Sequence, residues 1–182
     1  MLALAENPPI LPPHVGSLAE LDGPWWIAHT KSRMEKALTW SLLKQGIGYF
    51  MPMVDRITFS GGRRRHGRIP MFPSYVFFCG ASDARYAAVS GDRICQVLEV
   101  KNQKKFLDEL LWIESAVRGG AQLDPYPFAA VGKRCRVRSG PLVGVHGIVM
   151  ERSSLSRLVL QVSLLGQGVA LQIHPDLLEP LD

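Results

Sequence analysis

The stretch "MFPSYVFFC", residues 71–79, decides the fold of the first two thirds of this chain. From Ser74 to Cys79 it is apolar at almost every position, so both faces of a strand here would be buried, and such a strand belongs in the middle of a sheet. Val76 and Phe78 share one face and read as core. Tyr75 and Phe77 share the other; under a helix they are core too, and without one they form an exposed apolar patch of the kind that marks a protein partner. Directly before this strand, "GGRRRHGRIP" (61–70) sets down Arg63, Arg64, Arg65 and Arg68. Ser60-Gly61-Gly62 is a turn and the arginines lie on its descending arm, so 56–70 reads as a projecting hairpin. A run of this kind is usually a solvated loop, and its sharper reading is contact with an anionic partner, most commonly nucleic acid.

Upstream, "WWIAHT" (25–30) is rich in β-formers and alternates as a strand does. In "SRMEKALTWSLLKQGIG" Ser32 and Glu35 have the spacing of a capping box, and Met34, Ala37, Leu38 and Leu42 form a helical stripe closed by Gly46. "YFMPMVDRITF" is extended, and Pro52 keeps it at an edge or bulge. Downstream, a short helix is expected over Asp83–Val89 and a strand over Ile94–Leu98. A helix capped by Asn102 then runs to Arg118, with Phe106, Leu110, Ile113 and Val117 on one face and Gly119-Gly120 at its end.

"GGAQLDPYPFAAV" (119–131) has glycine, proline and no periodicity, which is how a domain boundary reads. Beyond it the pattern is purely β. Cys135 and Val137 oppose Arg134, Arg136 and Arg138; Leu158, Leu160, Val162 and Leu164 share a face, as do Val169, Leu171 and Ile173. Short strands with glycine turns suggest a small barrel, near the lower size limit for an independent core. The domains expected are therefore a disordered tail over 1–23, an N-terminal domain over 24–118, a flexible linker over 119–131 and a β domain over 132–182.

The chain carries 21 basic and 16 acidic residues, a formal charge of +5, unevenly spread. Residues 25–124 hold 15 basic and 9 acidic side chains, whereas the segment before Trp25 holds only Glu6, Glu20 and Asp22. Three separated cysteines (Cys79, Cys95, Cys135) suit neither disulfides nor zinc and read as small buried hydrophobes. Five scattered histidines lack metal-binding spacing, so no metal or cofactor is expected. No stretch of about 18 apolar residues occurs, and no signal peptide is read at the start, so a cytoplasmic, non-membrane protein is expected. Nucleophile elbows, phosphate loops, dinucleotide fingerprints and carboxylate clusters are all missing from the sequence, which points away from an enzyme.

Taken together, "WWIAHTKSRMEKA", "YFMPM" and "PMFPSYVFF" resemble the N-terminal domain of the NusG family of transcription elongation factors. "GKRCRVRSGPLVGVHGIV" and "SRLVLQVSLLGQGVALQIHPDLLEPL" resemble that family's KOW domain, so the resemblance runs from Trp25 to Leu181. The flavour is that of the specialised RfaH and UpxY-type antiterminators. The resemblance implies an α+β protein: an N-terminal α/β sandwich around an antiparallel sheet, then a five-stranded SH3-like barrel. It implies a monomeric factor that docks on the clamp helices of the RNA polymerase β′ subunit through Phe72, Pro73, Tyr75 and Phe77. Lys31, with neighbouring Arg33 and Lys36, would meet the non-template DNA strand or RNA, as would the hairpin arginines. Gly140, Pro141, Gly144 and Gly147 would form the KOW turn, and the KOW domain would recruit Rho or a small-subunit ribosomal protein. "ARYAAVS" (84–90) lacks the His-Thr-Thr of RfaH, and the Val- and Gly-rich KOW sequence argues against an α-helical storage form. The alternative is a KOW-type RNA-binding module acting on ribosomal or messenger RNA.

Overall fold

The computed structural model describes residues 7–60, 63–126, 132–152 and 155–181. Residues 1–6 of the expected tail, the Gly61-Gly62 hairpin turn, residues 127–131 of the expected linker and the side chains of Thr58, Phe59, Ser60, Arg65, Glu151, Arg152 and Leu155 lie outside that description. The chain divides into two compact units, Met1–Gln103 and Lys104–Asp182.

The first unit runs through β1 (Trp25–Thr30), α1 (Glu35–Lys44), β2 (Gly48–Phe50), β3 (Met53–Ser60), β4 (Arg63–Pro70), β5 (Tyr75–Cys79), α2 (Ser82–Val89) and β6 (Ile94–Glu99). Its main sheet has the order β2-β5-β1-β6, and every pairing is antiparallel. The strand expected at the centre is there: Phe77 lies opposite Ile27 of β1 and Phe50 of β2. One sheet face carries Ala28, Tyr49, Val76 and Phe78 and packs with Leu38 and Leu42 of α1 and Ala88 of α2. The opposite face is buried as well, with Ile27, Phe50 and Phe77 each at most 1 % exposed.

Helix α1 ends as its sequence foretells. Gly46 is left-handed at φ 67°, Ile47 N–H bonds the Leu42 carbonyl and Gly46 N–H that of Leu43, and Leu42 and Ile47 meet in the core. This is a Schellman closure, with the residue after glycine packing back on the last turn. Its start differs. Met34 is the cap residue and makes no capping hydrogen bond; the buried positions are Glu35, Leu38, Thr39 and Leu42, while Met34 and Ala37 are exposed. The apolar stripe is therefore rotated by about one residue from the expected one, because Glu35 faces inward.

The expected tail is structured over its described part. Leu18 sits in a 3-10 turn, Leu18–Glu20, and is fully buried, and Met51 N–H bonds the Ile10 carbonyl. Of the cysteines, Cys79 and Cys135 are buried as expected and Cys95 is exposed.

Helix α3 (Gln103–Arg118) opens at the boundary between the units. Gln103 belongs to the first and clasps Trp25: its side-chain oxygen accepts the Trp25 N–H at 2.7 Å and its amide donates to the Trp25 carbonyl at 3.0 Å. The rest of α3 groups with the second unit. Two contacts account for this. Trp112 stacks on His146, ring centres 4.9 Å apart, and the buried carboxylate of Glu109 accepts the Ser163 N–H at 3.0 Å and the Ser163 hydroxyl.

The second unit continues with β7 (Asp124–Tyr126), β8 (Lys133–Val137), β9 (His146–Arg152), β10 (Leu155–Val162), β11 (Gln167–Ile173) and β12 (Leu178–Pro180). These form one six-stranded sheet in the order β12-β8-β9-β10-β11-β7. The all-β pattern is as expected, with one strand more than the five implied by resemblance. The extra strand, β7, arises inside the segment expected as a linker: Asp124, Pro125 and Tyr126 pair with Ala170, Val169 and Gly168 of β11. Proline is tolerated because β7 is an edge strand. Cys135, Val137, Leu158, Leu160, Val162, Val169, Leu171 and Ile173 are buried as their alternation requires. Leu164 departs from that face: it falls in a 3-10 turn, Ser163–Leu165, and is 51 % exposed.

Candidate partner-binding corner and basic hairpin

Three loops of the first unit meet at one end of the main sheet. Thr30 N–H bonds the Ser74 carbonyl at 2.8 Å, joining the loop after β1 to the turn before β5. Lys31 N–H bonds the Arg93 carbonyl at 2.9 Å, joining it to the turn before β6. The non-glycine residues with positive φ among the described residues are Arg33 (62°), Ser74 (65°) and Asp92 (52°), one in each loop. An L-residue in this region costs roughly 1–2 kcal/mol, and such costs gather where function fixes the backbone.

Each loop has a visible restraint. The Glu35 carboxylate accepts the Ser74 N–H at 2.7 Å. Lys31 Nζ meets Asp92 Oδ1 at 2.7 Å, and this hydrogen bond, reinforced by the lysine's charge, holds the Asp92 carboxyl below its ordinary range. Tyr75, half-buried, stacks on His29 with ring centres 5.0 Å apart and planes 23° from parallel. Pro73 is exposed beside it.

The four residues expected at a polymerase-binding surface therefore separate. Phe72 and Phe77 are 2 % and 1 % exposed; Phe72 meets Phe77 edge-on at 5.3 Å and Phe50 stacks on it at 6.4 Å. They form an aromatic buttress behind the corner, and only Pro73 and Tyr75 reach the surface. Of the expected nucleic-acid residues, Lys31 and Arg33 lie on the exposed loop after β1. Lys36 lies apart: its ammonium donates to the Arg68 carbonyl, and burial lowers its pKa against the opposing pull of Glu35.

The hairpin is real and long. Strands β3 and β4 pair over eight residues, from Met53↔Pro70 to Ser60↔Arg63, as a two-stranded sheet of their own. This register splits the arginines. Arg63 opposes Ser60 and Arg65 opposes Thr58, in line with Arg56 opposite Gly67. Arg64 opposes Phe59 and Arg68 opposes Asp55, on the alternate positions. Arg68 is also paired, its Nε 3.0 Å from Asp55 Oδ1. The single cluster suggested by the sequence is two sets on two faces.

In the second unit Gly140 and Gly144 have φ of 89° and 85° and, with exposed Pro141, form the turn between β8 and β9. Only glycine adopts such angles without strain. Gly147 is not in that turn. It lies within β9, where a Cβ would stand 2.8 Å from the Val159 carbonyl oxygen, so it is needed for the close approach of β10. A groove of about 450 Å³ opens beside the turn, with Val137, Leu142, Leu171 and Leu177 on its walls and Asp124 and Arg157 paired at 3.3 Å.

Ser74, His29 and Arg56 were not singled out from the sequence, and Glu35 was read only as a capping-box residue. For Glu35 the signal was present: it lies three, four and seven residues before Leu38, Thr39 and Leu42, the spacing of the buried face. Among the described residues no cluster of three metal-ligating side chains occurs, and no helix is long and apolar enough to cross a membrane.

Residues 23–112 match the family model described as "Transcription termination factor nusG". No curated protein matches the chain in sequence. A solved structure described as "Domain interaction in Thermotoga maritima NusG" is similar, with 17 % identity and a TM-score of 0.44 over 87 % of this chain and 97 % of that one.

Proposed function

Because residues 23–112 place this chain in the NusG family of transcription factors, we propose that it is an elongation factor that docks on the clamp helices of the RNA polymerase β′ subunit. The observation that carries this reading is the corner of Pro73 and Tyr75. Tyr75 is braced by His29, Ser74 is held in a strained conformation by Glu35, and the Phe50–Phe72–Phe77 stack supports both from behind. An aromatic anchor on a rigid base is what an interface hot spot requires. Lys31 and Arg33, on the adjoining loop, and the hairpin arginines supply positive charge for the nucleic acid that polymerase carries. By suppressing pausing or termination while bound, the factor would act without catalysing a reaction. The groove beside Gly140–Gly144 is the surface through which its KOW domain would recruit a further protein.

The test is co-purification of the full chain with polymerase from lysate and with isolated β′ subunit, followed by a single-round pausing assay. Association with both and shortened pauses are expected. Failure to bind β′ while structured RNA is bound instead would favour the KOW-type RNA-binding alternative.

A further inference from the structure

The hairpin has two chemically different faces. Cross-strand partners in an antiparallel pair lie on the same face and successive residues alternate, so the β3–β4 register assigns every position. One face takes Ser60 and Arg63, Thr58 and Arg65, Arg56 and Gly67, and Val54 and Ile69. It contains three arginine positions and no acidic one. The other takes Phe59 and Arg64, Ile57 and His66, Asp55 and Arg68, and Met53 and Pro70. There two arginines are set against one aspartate that already holds Arg68, and Ile57 is 46 % exposed among them.

We infer that the hairpin binds the backbone of duplex DNA through the Arg56–Arg63 face, while Arg64 and Arg68 take no part. This rests on the nucleic-acid reading above and sharpens it. Arg56 and Arg63 are exposed and make no ion pair among the described residues. Their rows lie four residues apart on β3, roughly 13 Å at strand rise, with the Arg65 position midway.

The choice of duplex over single strand follows from what this face lacks. Single-strand binders stack bases on aromatic side chains, and none of its eight positions is aromatic. The A-form RNA major groove is too narrow and deep for side chains to read, whereas the B-DNA major groove, about 12 Å wide, admits a two-stranded β-ribbon. Arginines spaced along such a ribbon reach the phosphates that wall the groove, and contacts of that kind position a protein without reading sequence.

Full-length Arg56→Gln/Arg63→Gln and Arg64→Gln/Arg68→Gln each lose two positive charges, so bulk electrostatics is matched between them. Binding would be followed by fluorescence anisotropy on duplex DNA, single-stranded DNA and duplex RNA of equal length, from 50 to 200 mM salt. Circular dichroism would confirm that both variants are folded. For duplex DNA the first variant should flatten the log K against log salt slope by about 1.8, so that the wild type loses about tenfold more affinity than it does across that range. The second variant should keep the wild-type slope. Equal losses from both pairs, an unchanged slope in the first, no duplex binding by the wild type at 50 mM salt, or tighter binding of single strands or RNA would each overturn the inference. Separated slopes in a protein that fails to bind β′ would refute the proposed function and leave this assignment standing.

Discussion

The carboxylate of Glu35 accepts the backbone N–H of Ser74 at 2.7 Å, across 39 residues of sequence. Glu35 is 8 % exposed, at the first position of α1, and Ser74 is left-handed at the turn into the central strand. One hydrogen bond thus fixes helix α1 to the Pro73–Tyr75 corner. A hydrogen bond to a charged group contributes about 1.5–3 kcal/mol, and burial puts this one towards the upper end. Glu35→Ala should destabilise the first unit by about 2 kcal/mol or more in urea titration. It should also expose the Ser74 amide to rapid hydrogen exchange. Unchanged protection of that amide would show that the Glu35 carboxylate is not what shields it.

Ser74→Gly tests the strain at the same place. The left-handed conformation costs an L-residue roughly 1–2 kcal/mol, and glycine's greater unfolded entropy returns about 0.5–1 kcal/mol. The net expectation is stabilisation by roughly 0.5–1 kcal/mol, with polymerase binding kept. A destabilised variant would mean that the serine hydroxyl contributes more than the strain it imposes.

Tyr75→Ala and Phe77→Ala should separate binding from folding. Phe77 is core, so its truncation should cost about 3–5 kcal/mol and weaken every activity through stability. Tyr75 is half-buried and braced on one side by His29, so its loss should cost far less stability and remove most association with β′. The check is chemical denaturation alongside β′ co-purification. A folded Tyr75→Ala protein that still binds β′ would exclude this corner as the docking surface.

The contrast between these two aromatics shows what the sequence could carry. Alternation put Tyr75 and Phe77 on one face, and the register agrees, but alternation cannot tell where along a strand solvent begins. The same holds for the arginines. Gly61-Gly62 announces a hairpin, yet the division of Arg63 and Arg65 from Arg64 and Arg68 follows only from the pairing of β3 with β4. Leu18 and Pro125 misled for a different reason: short segments rich in proline carry little periodicity, and their place is decided by the sheet or core that receives them. The strands of the second unit were the most legible, because period-two alternation at Cys135–Val137, Leu158–Val162 and Val169–Ile173 leaves one way to bury them. Glu35 was read as a cap since glutamate rarely faces inward, and its partner is 39 residues away.

Gly147→Ala asks for room that β9 does not have. The added methyl would stand 2.8 Å from the Val159 carbonyl oxygen and 2.7 Å from Leu158 Cδ1. Leucine can turn aside and the backbone carbonyl cannot, so overpacking should cost about 1–3 kcal/mol. The loss should appear in the second unit, as faster exchange of β9 and β10 amides. At Gly140 no atom lies near the added methyl, but φ of 89° makes alanine strained there too, so Gly140→Ala should cost about 1 kcal/mol without disturbing strand packing.

Alkaline pH should weaken the first unit through two buried acids. Burial raises the Tyr49 phenol from 10.0 to about 12, and burial followed by the nearby charge of Asp22 raises the Cys79 thiol from 9.0 to about 11. In both cases the folded pKa lies above the unfolded one, so the unfolded chain releases its proton first. The stabilisation is complete below pH 9 and declines as pH rises, between about 9 and 11 for Cys79 and between about 10 and 12 for Tyr49. Tyr49 is fully buried and its hydroxyl has no hydrogen-bond partner among the described residues. Tyr49→Phe removes that unsatisfied group while keeping the ring that packs among Leu38, Leu42 and Phe78. Its stability at pH 7 should equal or exceed that of the wild type, by up to about 1 kcal/mol. Its unfolding free energy should fall less steeply between pH 10 and 12, the Cys79 portion remaining. Urea midpoints measured from pH 7 to 11.5 decide the matter: a variant less stable at pH 7 would mean that the Tyr49 hydroxyl is satisfied in solution, and an unaltered alkaline slope would mean that the phenol ionises freely in the folded protein.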